Sequence, residues 1–152
     1  MIKTLKEEEY QDGFLRKIFV ECLGYTLKPD PNFNLTREEK NATDGKKADG
    51  AIVIDGEVRG VIELKDTKTK NLDDVQSQAF GYKVSHKNTR YVIISNFAKL
   101  RFYIDDKTEY EEFDLFNIKR KDFDKLYLFL HFDHIASDLP ISLKEKSIQE
   151  EQ

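Results

Sequence analysis

The chain has a single cysteine, Cys22, among its 152 residues. One thiol has no partner for an internal disulfide, so a disulfide framework of the kind found in small secreted proteins is excluded. No apolar run approaches the roughly 20 residues that a membrane-spanning helix needs. The N-terminus, MIKTLKEEEY, is acidic and has no secretory apolar region. These absences favour a cytoplasmic protein that is not embedded in a membrane.

The chain also lacks an excess of positive charge. Its formal net charge is −4 and its pI is about 5.5, which argues against a free-standing, high-affinity nucleic-acid binder. The charges are unevenly spread, because basic residues are frequent between Lys40 and Arg90 whereas acids cluster at Glu7–Glu9 and Asp105–Asp114. A basic face on an acidic domain would suit phosphate contact. A solvated, lysine-rich surface explains the same pattern.

The most informative stretch is a predicted β-hairpin. Two runs, Ala51–Ile54 and Val58–Leu64, are rich in valine and isoleucine, as half-buried strands are. The Asp55-Gly56 pair between them is typical of a two-residue turn, in which both central residues adopt positive φ. The sequence therefore predicts two antiparallel strands joined by a tight turn.

Three polar side chains flank this hairpin at one end. Asp49 precedes the first strand, and Glu63 and Lys65 lie at the end of the second, on the same face because side chains alternate along a strand. Magnesium prefers carboxylate and carbonyl oxygens, so Asp49, Glu63 and the backbone carbonyl of Leu64 are candidate ligands. Lys65 could position an attacking water or stabilise developing negative charge. For the Glu-x-Lys pair alone, a surface salt bridge is the simpler alternative.

The other elements predict an α/β domain with a mixed sheet flanked by helices. Hydrophobic periodicity gives these elements around the hairpin: a helix over about Leu5–Leu23, a short strand near Asn34–Thr36, a helix over Leu72–His86, strands over Tyr91–Ile94 and Leu100–Ile104, and a helix over Lys121–His134. The first helix is expected to place Tyr10, Phe14, Ile18 and Cys22 on one stripe, with Leu15 and Phe19 beside them, and the last to place Phe123, Leu126, Tyr127, Leu130 and His134 on its inner face.

The predicted domain covers residues 1–142. Residues 143–152, which are charged and have no core pattern, are expected to form a linker or the start of a connecting helix.

These motifs resemble those of the PD-(D/E)xK nuclease superfamily. Asp49 with Glu63-Leu64-Lys65 is similar to that family's motif in the form without the proline, since Ala48 stands in its place. Gln78 and Tyr82 match the QxxxY element that type I restriction subunits carry on the helix after the catalytic strand. Residues four apart share a helix face, so both side chains can face the site. For Tyr82 alone, a buried structural tyrosine is an equally good interpretation.

Longer segments of the sequence are similar to the N-terminal endonuclease domain of type IIG restriction–modification enzymes. The matching segments are KKADGAIV, VIELKD, QAFGY and RYVIISNFAKLRFY, and the resemblance covers essentially the whole chain. It implies a restriction-endonuclease-like αβββαβ core and a Mg²⁺-dependent DNA endonuclease, with Mn²⁺ able to substitute. The implied roles are metal binding by Asp49, Glu63 and the Leu64 carbonyl, water positioning by Lys65, and support of the site or the DNA backbone by Gln78 and Tyr82.

Further candidates come from the surroundings of the motif. In this family an acid on the first helix often completes the metal site, and Glu8 is the best-placed candidate, although a solvated acidic helix start explains Glu7–Glu9 better. Four lysines flank the predicted site and are candidate DNA contacts or solvated loop residues: Lys46, Lys47, Lys68 and Lys70.

The resemblance also implies partners. The substrate is double-stranded DNA, and cleavage of both strands implies a transient dimer on DNA. The resemblance also implies methyltransferase and target-recognition regions, in the same chain or a partner chain. This sequence has no S-adenosylmethionine-binding, NPPY-type, helix-turn-helix or zinc pattern. Two alternatives stay open: a catalytically silent nuclease-like module that binds DNA or protein, and a repair- or RNA-directed nuclease of the same fold.

Overall fold

The computed structural model describes residues 5–37 and 47–151, with side chains described over 9–37 and 47–150. Within these residues a six-stranded mixed sheet is flanked by helices, so the predicted α/β class is confirmed. The strands lie in the sheet in chain order: β1 Leu35–Arg37, β2 Gly50–Ile54, β3 Glu57–Leu64, β4 Tyr91–Ser95, β5 Lys99–Ile104 and β6 Tyr110–Asp114. β3 and β4 are parallel, and all other neighbouring pairs are antiparallel.

Helices cover both faces of this sheet. They are α1 Leu5–Phe14, a π-helical segment Leu15–Cys22, a 3₁₀ turn Leu72–Val75, α2 Gln76–Val84, α3 Arg120–Leu130, α4 Phe132–Ala136 and α5 Leu139–Glu151. In the part of the chain that the structure describes, none of the helices is both long and apolar enough to cross a bilayer.

The predicted hairpin is confirmed as β2 and β3. Asp55 and Gly56 have φ of 53° and 79°, the positive values that a two-residue hairpin turn requires. The strands pair antiparallel, with Gly50 opposite Ile62. Because the register is fixed, the residues just outside β2 and at the end of β3 meet at one edge of the sheet.

The sheet separates two hydrophobic clusters, and alternation along β3 assigns its side chains to them. Ile62 and Leu64 belong to the larger cluster, which is covered by α1, the π-helical segment, α3, α4 and α5. Val61 belongs to the smaller cluster, which is covered by the 3₁₀ turn and α2. Because Glu63 and Lys65 follow Val61 at intervals of two, they lie on the α2 face.

The first helical segment confirms part of the predicted stripe, because Phe14 is buried at 8% exposure and Ile18 packs against the larger cluster. Leu15, Phe19 and Leu23 are fully buried, whereas Tyr10 is 59% exposed and Cys22 is exposed. The fully buried residues lie one position along from the predicted stripe and have the same spacing of four, so periodicity alone does not show which of the two stripes faces the core. The last turns are π-helical and Gly24, at φ 79°, ends the segment as expected.

The predicted helix over Lys121–His134 is divided in the structure. His131 has an extended conformation, with φ −56° and ψ 138°, and its Nδ1 accepts a hydrogen bond from the Asp133 amide at the start of α4. The amide of Phe132 donates to the carbonyl of Leu23 at 2.9 Å, which ties the break to the first helical segment. Of the residues predicted on the inner face, Leu126 and Leu130 are buried, and Tyr127 is 39% exposed.

The end of the chain is helical from Leu139 to Glu151, so residue 142, the predicted domain boundary, lies within α5. Ile141 is buried in the larger cluster. The Lys144 ammonium donates to the carbonyl of Ile104 at 3.1 Å. The first turns of α5 therefore pack against the sheet.

The strand β6 lies outside the predicted elements. Its sequence, YEEFD, contains three acids, which are depleted in strands, and it buries a single side chain, Phe113. Its acids instead contact cations: Glu112 lies 2.7 Å from the Arg101 guanidinium on β5, and Glu111 lies 2.7 Å from Lys125 on α3. Tertiary ion pairing therefore offsets a low intrinsic strand preference.

An ion pair between Arg90 and Asp105 next to β4 and β5 should give the stability a specific pH dependence. Hydrogen bonds from Arg90 hold the pKa of Asp105 below its ordinary range. The pair therefore stabilises the fold above the ordinary carboxyl pKa of about 4, and this contribution is lost as the pH falls through the lower folded-state value. The effect should be modest because both side chains are about 40% exposed.

We expect Asp105→Asn to lower the melting temperature at pH 7 and to flatten its decline below about pH 4. Asparagine suits the position because Asp105 has φ 60°, a left-handed conformation that Asn tolerates. Thermal unfolding followed by circular dichroism from neutral to acidic pH would measure this. Parallel melting curves for the two proteins at every pH would contradict the assignment.

Candidate active site

The candidate active site lies at the edge of the sheet where β2 begins and β3 ends. Continuing the Gly50–Ile62 register by one step sets Asp49 opposite Glu63. Both acids are buried, with 5% and 3% of their surfaces exposed. One oxygen of Asp49, Oδ2, accepts a hydrogen bond of 2.7 Å from the amide of Leu64. This bond fixes the Asp49 carboxylate against the end of β3.

Lys65 places a cation beside this pair of acids. Its Nζ lies 3.3 Å from Oε1 of Glu63, and 35% of the lysine side chain is exposed. A buried carboxylate carries a large desolvation cost unless it is paired. The ammonium therefore stabilises the charge on Glu63 and still borders solvent, where a phosphate or a water could reach it.

Gln78 and Tyr82 lie on α2, which packs over the same face of β3 and β4 as Glu63. Tyr82 is buried at 6% exposure, and its hydroxyl accepts a hydrogen bond of 2.9 Å from Nε2 of Gln78, which is exposed. The two residues therefore act as a pair, with the tyrosine packed in the small cluster and the amide at the surface. The buried tyrosine also fits the purely structural interpretation of Tyr82.

The lysine candidates fall on both chain segments that border the acids. Lys47 is exposed and precedes Asp49 by two residues, and Lys68 and Lys70 are exposed in the loop after Lys65. The amide of Lys65 donates to the carbonyl of Ser95 at 2.9 Å, so this loop begins firmly held at the end of β4. Three of the four candidates therefore lie in segments adjoining the same edge of the sheet.

Two further candidates cannot be placed by their side chains. Lys46 lies outside the described residues, and for Glu8 the structure describes the backbone, within α1, one turn before Asp12. Asp12 lies 2.7 Å from Arg37, and Arg37 pairs with Gly50 at the start of β2. This part of α1 is therefore held beside β1 at the edge of the sheet that carries Asp49.

The donor set fits a hard divalent cation. Asp49, Glu63 and the carbonyl of Leu64 are all oxygen donors, and Mg²⁺ commonly binds through one or two carboxylates while it keeps several waters. Within residues 5–37 and 47–151, no group of three or more His, Cys, Asp or Glu side chains is arranged to hold a metal ion. A two-carboxylate site of the predicted kind does not require such a group.

Comparison with known proteins does not identify this chain. No family model, no curated protein and no solved structure matches it. The nuclease resemblance therefore rests on the motif residues, and the activity stays a prediction.

One polar residue near the site was not among the predicted site residues. Asn96 follows β4, is 4% exposed, and donates to the carbonyl of Thr69 in the lysine-bearing loop. In the sequence it stands out only as a polar residue that follows a buried apolar strand, in the segment IISNF. That signal marks the end of a strand, and the loop that Asn96 contacts is distant along the chain.

Proposed function

We propose that this chain is a metal-dependent DNA endonuclease, the cleavage module of a restriction–modification enzyme. The observation that carries the proposal is the arrangement at the end of the hairpin. Asp49 is bonded to the Leu64 amide, Glu63 is buried beside it, and the Lys65 ammonium lies 3.3 Å from Glu63. Two buried acids and a lysine at the end of an apolar hairpin contribute little to folding, and they suit phosphodiester hydrolysis.

Each residue has a distinct role in this proposal. Asp49, Glu63 and the Leu64 carbonyl would hold Mg²⁺, which supplies charge neutralisation at the phosphate and a more acidic bound water. Lys65 orients the attacking water or stabilises charge that develops on the phosphate. Gln78 presents its amide to the DNA backbone or the site, held by its hydrogen bond to Tyr82.

The order of the elements supports a restriction-endonuclease-like core. α1, the strands β1 to β3, α2 and β4 follow one another as helix, three strands, helix and strand, which is the αβββαβ order of that core. Asp49 directly precedes the second of these strands, Glu63 lies on the third, and Gln78 and Tyr82 lie on the helix that follows, as the resemblance implies.

The proposed substrate is double-stranded DNA. Lys47, Lys68 and Lys70 would contact phosphates near the acids, but a net charge of −4 means that affinity must come partly from elsewhere. Methyltransferase and target-recognition regions, in the same chain or a partner, would supply it together with sequence specificity. A transient dimer on DNA would provide the second active site that cleavage of both strands needs.

Supercoiled plasmid incubated with the purified chain tests the activity directly. We expect nicking with Mg²⁺ or Mn²⁺ and none with EDTA, and a loss of roughly 100-fold or more in rate for Lys65→Ala. Lys125→Ala is the matched control, because Lys125 also pairs with a glutamate, at 2.7 Å, but lies on α3 away from the site. Nicking that persists in EDTA, or that Lys65→Ala leaves unchanged, would overturn the proposal.

A second candidate function is a silent nuclease-like module that binds DNA or protein. The observation that favours it is that both acids have partners within the chain: the Leu64 amide for Asp49 and the Lys65 ammonium for Glu63. These partners offset part of the cost of burying the two carboxylates without a metal ion. Titration with Mn²⁺ separates the two functions, because the nuclease should bind it through Asp49 and Glu63 and the silent module should not.

A nuclease directed to RNA or to repair intermediates would share the same site. Comparing cleavage of duplex DNA, single-stranded DNA, structured DNA and RNA under the same metal conditions distinguishes it. A restriction-type enzyme should prefer duplex DNA, and a clear preference for another substrate would favour this alternative.

A further inference from the structure

The turn between β4 and β5 contains two buried polar side chains that the proposed mechanism does not use. Ser95 is fully buried and Asn96 is 4% exposed. The side-chain oxygen of Asn96 accepts hydrogen bonds from the amides of Ala98, at 3.1 Å, and Lys99, at 2.8 Å. The hydroxyl of Ser95 donates to the carbonyl of Lys99 at 2.7 Å. The acceptor side of Asn96 therefore closes its own turn.

The donor side of Asn96 has a different partner. Its Nδ2 donates to the carbonyl of Thr69 at 2.8 Å, across 27 residues of sequence. Thr69 lies in the loop that connects β3 to the 3₁₀ turn, and its amide donates to the carbonyl of Asp66 at 3.1 Å. The Asp66 carboxylate in turn accepts from the Lys68 amide at 2.9 Å. Asn96 thus joins the β4–β5 turn to the compact turn that contains Lys68.

The loop is consequently anchored at two points to the same turn. The first anchor is the hydrogen bond that the Lys65 amide donates to the carbonyl of Ser95. The second is the hydrogen bond that the Asn96 side chain donates to the carbonyl of Thr69. Lys68 and Lys70 lie on either side of the second anchor, and both are exposed. The backbone of the two lysines is therefore fixed while their side chains stay available to a ligand.

We propose that Asn96 is a positioning residue for DNA binding, which holds the loop of residues 66–70 so that Lys68 and Lys70 meet the phosphate backbone. The inference rests on the proposed function. A loop held in place before binding does not lose its backbone freedom when DNA arrives, so its contacts contribute more to affinity. Lys65 keeps its own anchor on Ser95, so the chemical step should depend little on Asn96.

Two substitutions remove the donor and keep the acceptor. Asn96→Asp has the same shape but places a carboxylate oxygen against the carbonyl of Thr69, and Asn96→Ser is neutral but too short to reach it. Both can still accept from the turn amides, as aspartate and serine commonly do. Asn117→Asp, on an exposed residue after β6, is the control for an added charge elsewhere.

The test uses the full chain and three measurements. We expect trypsin to cleave after Lys68 and Lys70 roughly tenfold faster in both Asn96 variants, because the loop opens more readily. Their Kd for a DNA duplex, measured with Ca²⁺ in place of Mg²⁺, should rise about fivefold, which is the effect of one lost hydrogen bond. The cleavage rate at saturating DNA should stay within about twofold of the wild type, since no transition-state contact is lost.

Several results would overturn the inference. Unchanged trypsin cleavage in both variants would show that Asn96 does not hold the loop. If the Kd for the duplex rises in Asn96→Asp but not in Asn96→Ser, the added negative charge alone explains the change. The same conclusion follows if Asn117→Asp raises the Kd as much as Asn96→Asp does. If the Asn96 variants do not fold, the double variant Lys68→Ala, Lys70→Ala tests the inference instead, since both lysines are exposed. A Kd for the duplex equal to that of the wild type would show that these lysines do not contact DNA.

Failure of the proposed function gives a different pattern. A wild-type chain that binds no duplex and nicks no plasmid overturns both the nuclease and the DNA-binding role of the loop. The trypsin measurement still reports whether Asn96 holds the loop in that case.

Discussion

Glu63→Gln should abolish plasmid cleavage while the protein stays folded. Glutamine keeps the volume of the side chain but removes the negative charge that a divalent cation needs. It also removes the charge beside which the Lys65 ammonium lies, at 3.3 Å. Because both the cation and the lysine would lose their partner, we expect the nicking rate to fall roughly 1,000-fold or more.

The control for this change is Glu111→Gln. Glu111 also pairs with a lysine, Lys125, at 2.7 Å, but on the outer strand β6. We expect its nicking rate to equal that of the wild type. Mn²⁺ binding, measured by calorimetry, should be lost in Glu63→Gln and kept in Glu111→Gln. Normal cleavage by Glu63→Gln, with the melting temperature unchanged, would contradict the assigned site.

Phe19→Ala should cause the largest loss of stability among these variants. Phe19 is fully buried in the larger cluster, and its ring packs edge-on against Tyr25 with centroids 5.4 Å apart. Truncating such a ring removes buried apolar surface and leaves a cavity, which costs about 3–5 kcal/mol of unfolding free energy. Urea denaturation followed by circular dichroism measures this difference.

Phe116→Ala is the matched control for this change, because Phe116 is 70% exposed. It should shift the unfolding free energy by no more than about 0.5 kcal/mol. Equal effects of the two substitutions would mean that the first helical segment does not pack as described.

The elements with strong local signals were predictable from the sequence. The hairpin has a period of two, β-branched residues and an Asp-Gly turn, and each of these signals points to the structure that forms. The run Tyr91–Ile94, which is rich in β-branched residues, becomes a fully buried strand, and the alternating segment Leu100–Ile104 becomes the strand next to it. Local propensity and burial agree at these positions, which is why the pattern suffices.

The elements that the sequence did not predict depend on tertiary contacts. β6 is stabilised by ion pairs from Glu112 to Arg101 and from Glu111 to Lys125, and each partner is distant enough in sequence to leave no local pattern. The break at His131 depends on a backbone hydrogen bond from Phe132 to Leu23. Neither contact has a periodicity that a single sequence displays.

The candidate site shows the same division. The Asp-Gly turn predicts that the segments carrying Asp49 and Glu63 pair, but a register shift between Ile52 and Val53 is needed to set Asp49 opposite Glu63, and no local signal predicted that shift. The hydrogen bond from Asn96 to Thr69 could not be predicted, because it joins the loop that follows β4 to the loop that follows β3. Pairing within one hairpin is therefore predictable from the sequence, whereas contacts between loops that are distant along the chain depend on the tertiary structure.

The two outer strands determine how copies of this protein can meet. β1 is three residues long, and β6 presents Glu111, Glu112 and Asp114 along an acidic edge. Two β6 edges that approached each other would bring like charges together, and on the β1 side Leu35 already forms a bridge with Leu27, so among the described residues little of that edge stays open for pairing. If two copies assemble on one DNA duplex, as we propose, we expect them to dock through helices or loops and their sheets to stay separate.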